Sequence, residues 1–206
     1  MNQKYEFTGE TTNHFGHTLH RIKALASFGD VKKGDIGGWI EAEKNLSESG
    51  NAWVHDNARV YDDAWVYGDA RVFGDAWVHG DAWVSGNARV SGNAQVYDNA
   101  WVHGNARVSG NAQVHGDAWV SGNAWVSGDA WVSGEYDFIT IGPIGSRNDI
   151  TTFYRLKQGG IGVKCGCFNG TIEEFEAAAH ETHAGNEHEK AYMAAIRMAK
   201  EIMIHD

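Results

Sequence analysis

Residues 51–134 read NAWVHD NARVYD DAWVYG DARVFG DAWVHG DAWVSG NARVSG NAQVYD NAWVHG NARVSG NAQVHG DAWVSG NAWVSG DAWVSG, fourteen consecutive copies of one hexapeptide with no insertion or deletion. Valine recurs every six residues from Val54 to Val132, and alanine keeps the same period from Ala52 to Ala130. Side chains alternate along a strand, so Ala and Val share one face and the residues beside Val share the other. The Gly or Asp followed by Asn or Asp that closes each copy supplies the positive φ of a tight corner. Each copy therefore reads as a short strand and a bend, with the small and the branched residue inward. A helix fails: a six-residue period drifts around a helix of 3.6 residues per turn, and a Gly-Asn or Gly-Asp pair every turn and a half would break it. The period alone predicts a parallel β-solenoid.

The rest of the composition fits regular architecture. The 206 residues include 26 Gly and 9 Trp but a single Pro. A formal charge of −10 runs against general nucleic-acid binding, which calls for a basic surface. No apolar run approaches the roughly 20 residues that span a bilayer. The N-terminal MNQKYEFTGETTNH lacks the basic and apolar regions of a signal peptide. Cys165 and Cys167 are the whole cysteine complement, so no disulfide scaffold is expected. These features predict a cytoplasmic protein with neither a membrane nor a general nucleic-acid partner.

The repeats resemble the hexapeptide-repeat, left-handed β-helix family, whose coils include the hexapeptide acyltransferases. The resemblance implies a left hand, a three-sided prism and 18 residues per coil. The fold class expected is therefore mainly β: about five triangular coils of three hexapeptides. Residues 18 apart then stack at about 4.8 Å, and the sequence becomes a surface map. One face carries Trp65, Trp83, Trp101 and Trp119; a second Trp53, Arg71, Arg89, Arg107 and Trp125; a third Arg59, Trp77, Gln95, Gln113 and Trp131. At roughly 150–250 Å² each, four tryptophans exceed the apolar patch a monomer normally exposes. That face is expected to be covered by another subunit or by a terminal segment of the chain. The family is typically trimeric, and the resemblance implies a homotrimer. In the arginine column, neighbouring guanidiniums repel by about 1 kcal/mol in bulk water. Asp69 and Asp75 flank Arg71, whereas Asn87, Asn93, Asn105 and Asn111 flank Arg89 and Arg107. Solvent screening, an anion or a neighbouring subunit's carboxylates could offset this repulsion, and Arg71, Arg89 and Arg107 are candidate ligand-binding residues.

The ends break the period. Residues 1–49 read as an N-terminal cap, with strand-like Tyr5–Thr8 and Leu19–Ile22 and a degenerate first coil through Ile36, Ile40 and Leu46. Residues 50–134 form the solenoid and 135–206 a C-terminal α+β domain of order βββαα. Its strands are FITIG (138–142), ITTFYRL (150–156) and IGVKCGCF (161–168). Thr171 and Glu174 form a capping box for a helix with Ile172, Phe175 and Ala179 on one face. Asn186 and Glu189 open a second helix, striped by Tyr192, Ala195, Ile196, Ala199, Ile202 and Met203. With GDIGGWIEAEKNLS at 34–47 and IGPIGSRND…CGCFNGTIEEF at 141–175, the chain resembles uncharacterised hexapeptide-repeat proteins of bacteriophages and prophages. That resemblance implies a viral or prophage source.

Several chemistries can be weighed. Hexapeptide acyltransferases usually carry a loop that interrupts the coils and a base histidine facing a cleft between subunits. Here no loop interrupts the repeats, and His55, His79, His103 and His115 are expected on different faces without fixed partners. A carbonic-anhydrase-like His-x35-His-x4-His pattern is met by His79 and His115 but fails at Val120. His14, His17 and His20 read as surface histidines. Cys165, Cys167, His180 and His183 are the candidate metal ligands, as a Cys2His2 set with both thiols on one strand face. The GPIGSRND loop, with Ser146 and Arg147, is a candidate anion loop. No cofactor is expected. The reading is a non-enzymatic homo-oligomeric binding protein, a counter-defence protein that sequesters a small anionic, nucleotide-type signal through aromatic stacking and arginine contacts. A coenzyme A-dependent acyltransferase and a structural component of a phage particle are the alternatives.

Overall fold

A computed structural model describes residues 2–203. It is a parallel β-solenoid of about five turns, extended at one end by a hairpin and closed at the other by a sheet with two helices. Fourteen two-residue strands, β4 (Trp53–Val54) to β17 (Trp131–Val132), follow one another every six residues. They sort into three sheets, one per face. Every third strand pairs in parallel register, as in Arg71↔Arg89 and Arg89↔Arg107. Each coil donates to the next: the Arg89 and Ser91 N–H groups reach the Ala106 and Val108 carbonyls, both at 2.9 Å. The alanine and valine of every copy are fully buried, forming one continuous core.

The corners explain the last two residues of the repeat. Gly86 has φ +65°, and a Cβ there would lie 3.0 Å from the backbone N and O of Gly104 in the next coil. Asp56, Asp62 and Asp98 occupy the same corner position with φ of 54°, 58° and 57°. Their carboxylates accept the Gly74, Gly80 and Gly116 N–H groups one coil on, at 3.1–3.2 Å. Asparagine follows in ladders: Asn87 donates to Asn105 at 3.2 Å, and Asn105 to Asn123 at 3.1 Å.

The N-terminal strands β1 (Tyr5–His14), β2 (His17–Ala24) and β3 (Ile36–Ile40) form an antiparallel meander. β3 then joins the solenoid in parallel, with Trp39↔Arg59 and Ile40↔Val60. Leu46 bridges Val66, so this irregular coil contributes Ile40 and Leu46 to the core. Ile36 does not follow: it is 51% exposed, because it lies before the chain turns inward. The turn inward needs Gly37, where a Cβ would meet the Trp53 ring at 2.6 Å.

The C-terminal domain has four strands rather than three. The third predicted strand divides into β20 (Ile161–Cys165) and β21 (Phe168–Thr171), because Gly166, with φ +56°, reverses the chain. With β18 (Phe138–Ile144) and β19 (Asp149–Arg155) they make an antiparallel sheet. Helices α1 (Ile172–His183) and α2 (Glu187–Met203) cover one face of it. Thr171 caps α1 through the expected box, accepting from the Glu174 N–H at 3.2 Å. Alternation divides the sheet. Phe153 and Val163 pack towards the helices, while Thr152 and Tyr154 meet the last coil. Tyr154 donates to Asn169 at 2.9 Å beside Ser127 of the solenoid.

One column of the solenoid is a ring stack. Tyr61, His79, Tyr97 and His115 follow at 4.9, 5.2 and 4.9 Å, with planes within 7° of parallel. His79 and His115 thus share one face and have fixed neighbours, contrary to expectation, because they lie two whole coils apart.

Two predictions follow from this packing. Gly86→Ala lowers stability by about 1–2 kcal/mol in denaturant unfolding, since alanine resists the left-handed region. Gly86→Asp recovers part of that loss, because its carboxylate can accept the backbone N–H one coil on, as those of Asp56, Asp62 and Asp98 do. Burial holds His14, His55, His79, His103 and His115 below the ordinary imidazole value of 6.5. On acidification the unfolded chain therefore takes up protons first, and stability falls as pH drops below about 6.5. Thermal melts from pH 8 to 5 show this decline, and the double variant His79→Gln/His115→Gln flattens it.

Candidate functional site

The arginine column is a groove with a wall at each end. Trp53, Arg71, Arg89, Arg107 and Trp125 stand in register along one sheet. Trp53 is buried under the N-terminal segment, edge-on to Tyr5 at 6.3 Å and Phe28 at 5.4 Å. At the other end the C-terminal sheet closes over Trp125, whose backbone N–H donates to Thr152 Oγ1 at 3.0 Å.

Three contiguous cavities lie between these walls. The first, about 220 Å³, holds His55, Arg71, Phe73 and Arg89 beside Asp30 and Asp56. The second, about 180 Å³, shares Phe73 and Arg89 with it and adds Arg107 and Trp125. The third, about 250 Å³, continues from Arg107 and Trp125 to Lys164 of the C-terminal sheet. Each is smaller than the roughly 300 Å³ of a small-molecule pocket, so a ligand of that size would lie across two of them.

The cations of the groove are not equivalent. Arg71 is paired with Asp30 from the loop before β3, a sequence-distant carboxylate additional to the corner residues Asp69 and Asp75. Burial opposes ionisation of Asp30, but the Arg71 hydrogen bond prevails and holds its carboxyl below the usual value. Arg89 and Arg107 are exposed and make no ion pair among the described residues. Arg107 lies 5.2 Å from the centre of the Trp125 ring, and Lys164 Nζ 4.1 Å from it. Trp125 therefore serves the two cations rather than offering a bare stacking surface. Burial lowers the affinity of Lys164 for its proton. His55 is held below its ordinary value chiefly by burial, with Asp30 and Asp56 opposing.

Ser146 and Arg147 do not join this groove. They line a separate cavity of about 300 Å³ within the C-terminal domain, with Cys165, Cys167, His183 and Tyr192. Arg147 Nη1 sits 3.6 Å from Cys167 Sγ. The proposed Cys2His2 set is not assembled. The turn at Gly166 parts the thiols: Cys165 is buried and receives the Thr151 hydroxyl at 3.2 Å, while Cys167 is exposed. His180 is bonded to Glu189, and His183 packs on Tyr192 at 5.6 Å. Among the described residues, metal-ligating geometry occurs instead at His17, Glu41 and Asp62. His17 Nδ1 lies 3.1 Å from Glu41 and 3.5 Å from Asp62. Both carboxylates also accept backbone N–H groups, Glu41 from Asp62 at 2.8 Å and Asp62 from Gly80 at 3.2 Å. The trio clamps the N-terminal hairpin to a corner. The reading of His17 as a plain surface residue missed this role, and the acidic GDIGGWIEAE stretch was the one available signal.

The tryptophan column forms as mapped, Trp65↔Trp83, Trp83↔Trp101 and Trp101↔Trp119. Trp101 and Trp119 stack at 5.0 Å, and the other pairs meet edge-on at 6.1 and 5.8 Å. Trp65, Trp83 and Trp119 remain 38%, 43% and 49% exposed, so the described residues of neither terminal segment cover this face.

The description "YdcK Beta solenoid repeat" matches this chain at residues 64–80, 82–98 and 102–116, all within the regular coils. A protein of Escherichia coli (strain K12) named "Uncharacterized acetyltransferase YdcK" is 45% identical over 38 residues, 18% of this chain and 12% of that protein. The similarity thus spans a small part of the relative's length. The coils at residues 64–80, 82–98 and 102–116 are similar to YdcK-type β-solenoid repeats.

Proposed function

We propose that the protein is a non-enzymatic, homo-oligomeric binding protein whose arginine-faced groove holds a small anionic, nucleotide-type ligand. The observation that carries this reading is the gathering of Arg89, Arg107 and Lys164 along one groove without a carboxylate partner among the described residues. Stacked guanidiniums repel, by about 1 kcal/mol in water and several times more where water is partly excluded. An anion converts that repulsion into charge-assisted hydrogen bonds. The tryptophan face supports assembly, because a second and third copy would cover rings left bare by the chain's own ends; a homotrimer is the proposed state. The resemblance to phage and prophage proteins gives the setting: counter-defence by sequestering a nucleotide-type signal.

A second reading is acetyl transfer from coenzyme A, favoured by the printed name of the YdcK relative and by His55 in the first cavity. There the cations would hold the phosphates of the cofactor and His55, kept uncharged by burial, would be the base.

Calorimetry with a panel of cyclic and linear nucleotides decides between them. Binding is expected, and Arg89→Met or Arg107→Met weakens it about tenfold or more, the worth of one charge-assisted bond. No heat from any member sinks the binding reading. Thiol release from acetyl coenzyme A with an acceptor, lost in His55→Gln, establishes the second. Light scattering gives a trimer mass for the wild type, and Trp83→Glu reduces it to one chain; a monomeric wild type overturns the assembly proposal.

A further inference from the structure

The seam where the C-terminal sheet meets the last coils carries a more specific message than the groove as a whole. Val163 and Cys165 face the helices, so alternation sends Lys164 the other way, onto the solenoid. Its register partner Thr152 is anchored to the Trp125 backbone N–H, which brings Lys164 Nζ over the Trp125 ring. Lys164 is only 9% exposed and makes no hydrogen bond or ion pair among the described residues. Holding this ammonium beside the Arg107 guanidinium, with no acceptor of its own, costs free energy that an apolar residue at the same place would avoid. The ring offers a cation–π contact but no hydrogen-bond acceptor.

Other polar groups converge on the same cavity. Arg107 enters it from the preceding coil, so two cations share about 250 Å³. Asn105 donates to Asn123, but the Asn123 amide N–H₂ at the end of that ladder has no acceptor among the described residues. Asp149 is the carboxylate at the rim; it accepts the adjacent Ile150 N–H at 2.7 Å and makes no ion pair with either cation. Two converging cations and a spare amide donor suit a compact anion with several acceptor oxygens, which a phosphoryl group supplies and a lone carboxylate does not. The cavity admits such a group but not a drug-sized molecule, so the rest of a larger ligand would run out along the groove towards Arg89.

We infer that this seam is a phosphoryl-binding site, in which Lys164 of the C-terminal sheet and Arg107 of the solenoid grip one phosphoryl group with Asn123 beside it. The inference deepens the reading of the groove as an anion site, but it concerns a single cavity and stands or falls separately.

The test is calorimetry on the full-length protein with inorganic pyrophosphate, AMP and adenosine. Pyrophosphate and AMP are expected to bind and adenosine not. Lys164→Met and Arg107→Met each weaken both phosphoryl ligands tenfold or more, while Lys23→Met, on the N-terminal hairpin, leaves pyrophosphate binding unchanged. The melting temperature of unliganded Lys164→Met is not lowered, as expected of a cation retained for a ligand; a clear drop marks a structural lysine and overturns the proposal. A Lys164→Met chain that fails to fold counts as such a drop. Nucleotide binding that ignores both substitutions overturns the seam site and leaves the wider groove reading intact. Pyrophosphate binding that depends on Lys164, with no nucleotide bound, supports the seam site and removes the nucleotide reading. Binding of neither pyrophosphate nor AMP overturns it outright.

Discussion

Everything in this molecule depends on the hydrogen-bond ladders that tie each coil to the next. Each two-residue strand donates to the strand one coil further on, and each coil repeats the step. A strand of two residues has no stability of its own. It persists because its neighbours lie one coil above and below, and because Ala and Val fill the space between three such ladders. The same constraint explains the corners, where glycine or a left-handed aspartate must pass within contact of the next coil's backbone. A single inserted residue would move every later side chain out of its column.

Register also creates the chemistry of the surface. Stacking at a fixed spacing turns a substitution pattern into columns: indoles on one face, guanidiniums on another, alternating phenols and imidazoles on a third. The columns are open along the prism, and the irregular ends make sites of them. The N-terminal loop delivers Asp30 to Arg71 and neutralises one end of the arginine column. The C-terminal sheet delivers Lys164 to Trp125 and adds positive charge at the other. The groove is therefore polarised along its length, with its net positive charge towards the C-terminal domain.

The parts legible in the sequence were those governed by the period. The solenoid, its buried Ala and Val, the tryptophan and arginine columns and the Thr171 cap all follow from spacing and residue type. Other features depend on where aperiodic segments land. Asp30 lies 41 residues from Arg71 in sequence, and no spacing rule links them. Lys164 sits in a run that reads as an ordinary strand, and its burial shows only once the sheet is placed against the last coil. The divided third strand turns on Gly166, a residue that sequence reading absorbed into the strand and that in fact separates the two cysteines. The ring column was legible in principle, since Tyr61, His79, Tyr97 and His115 are 18 apart, but the histidines were read without their tyrosine neighbours.

The central claim is that unpaired cations in one groove, rather than the arginine column at large, form the binding surface. The most direct measurement is a nucleotide titration followed through the Arg Nε–H and Lys Nζ–H signals in nitrogen-edited NMR spectra of the full-length protein. The account predicts that Arg89, Arg107 and Lys164 shift together and saturate together, while Arg71, held by Asp30, stays in place. Shifts confined to Arg147 in the C-terminal cavity, or no change at Arg107 and Lys164 at saturating ligand, would contradict it.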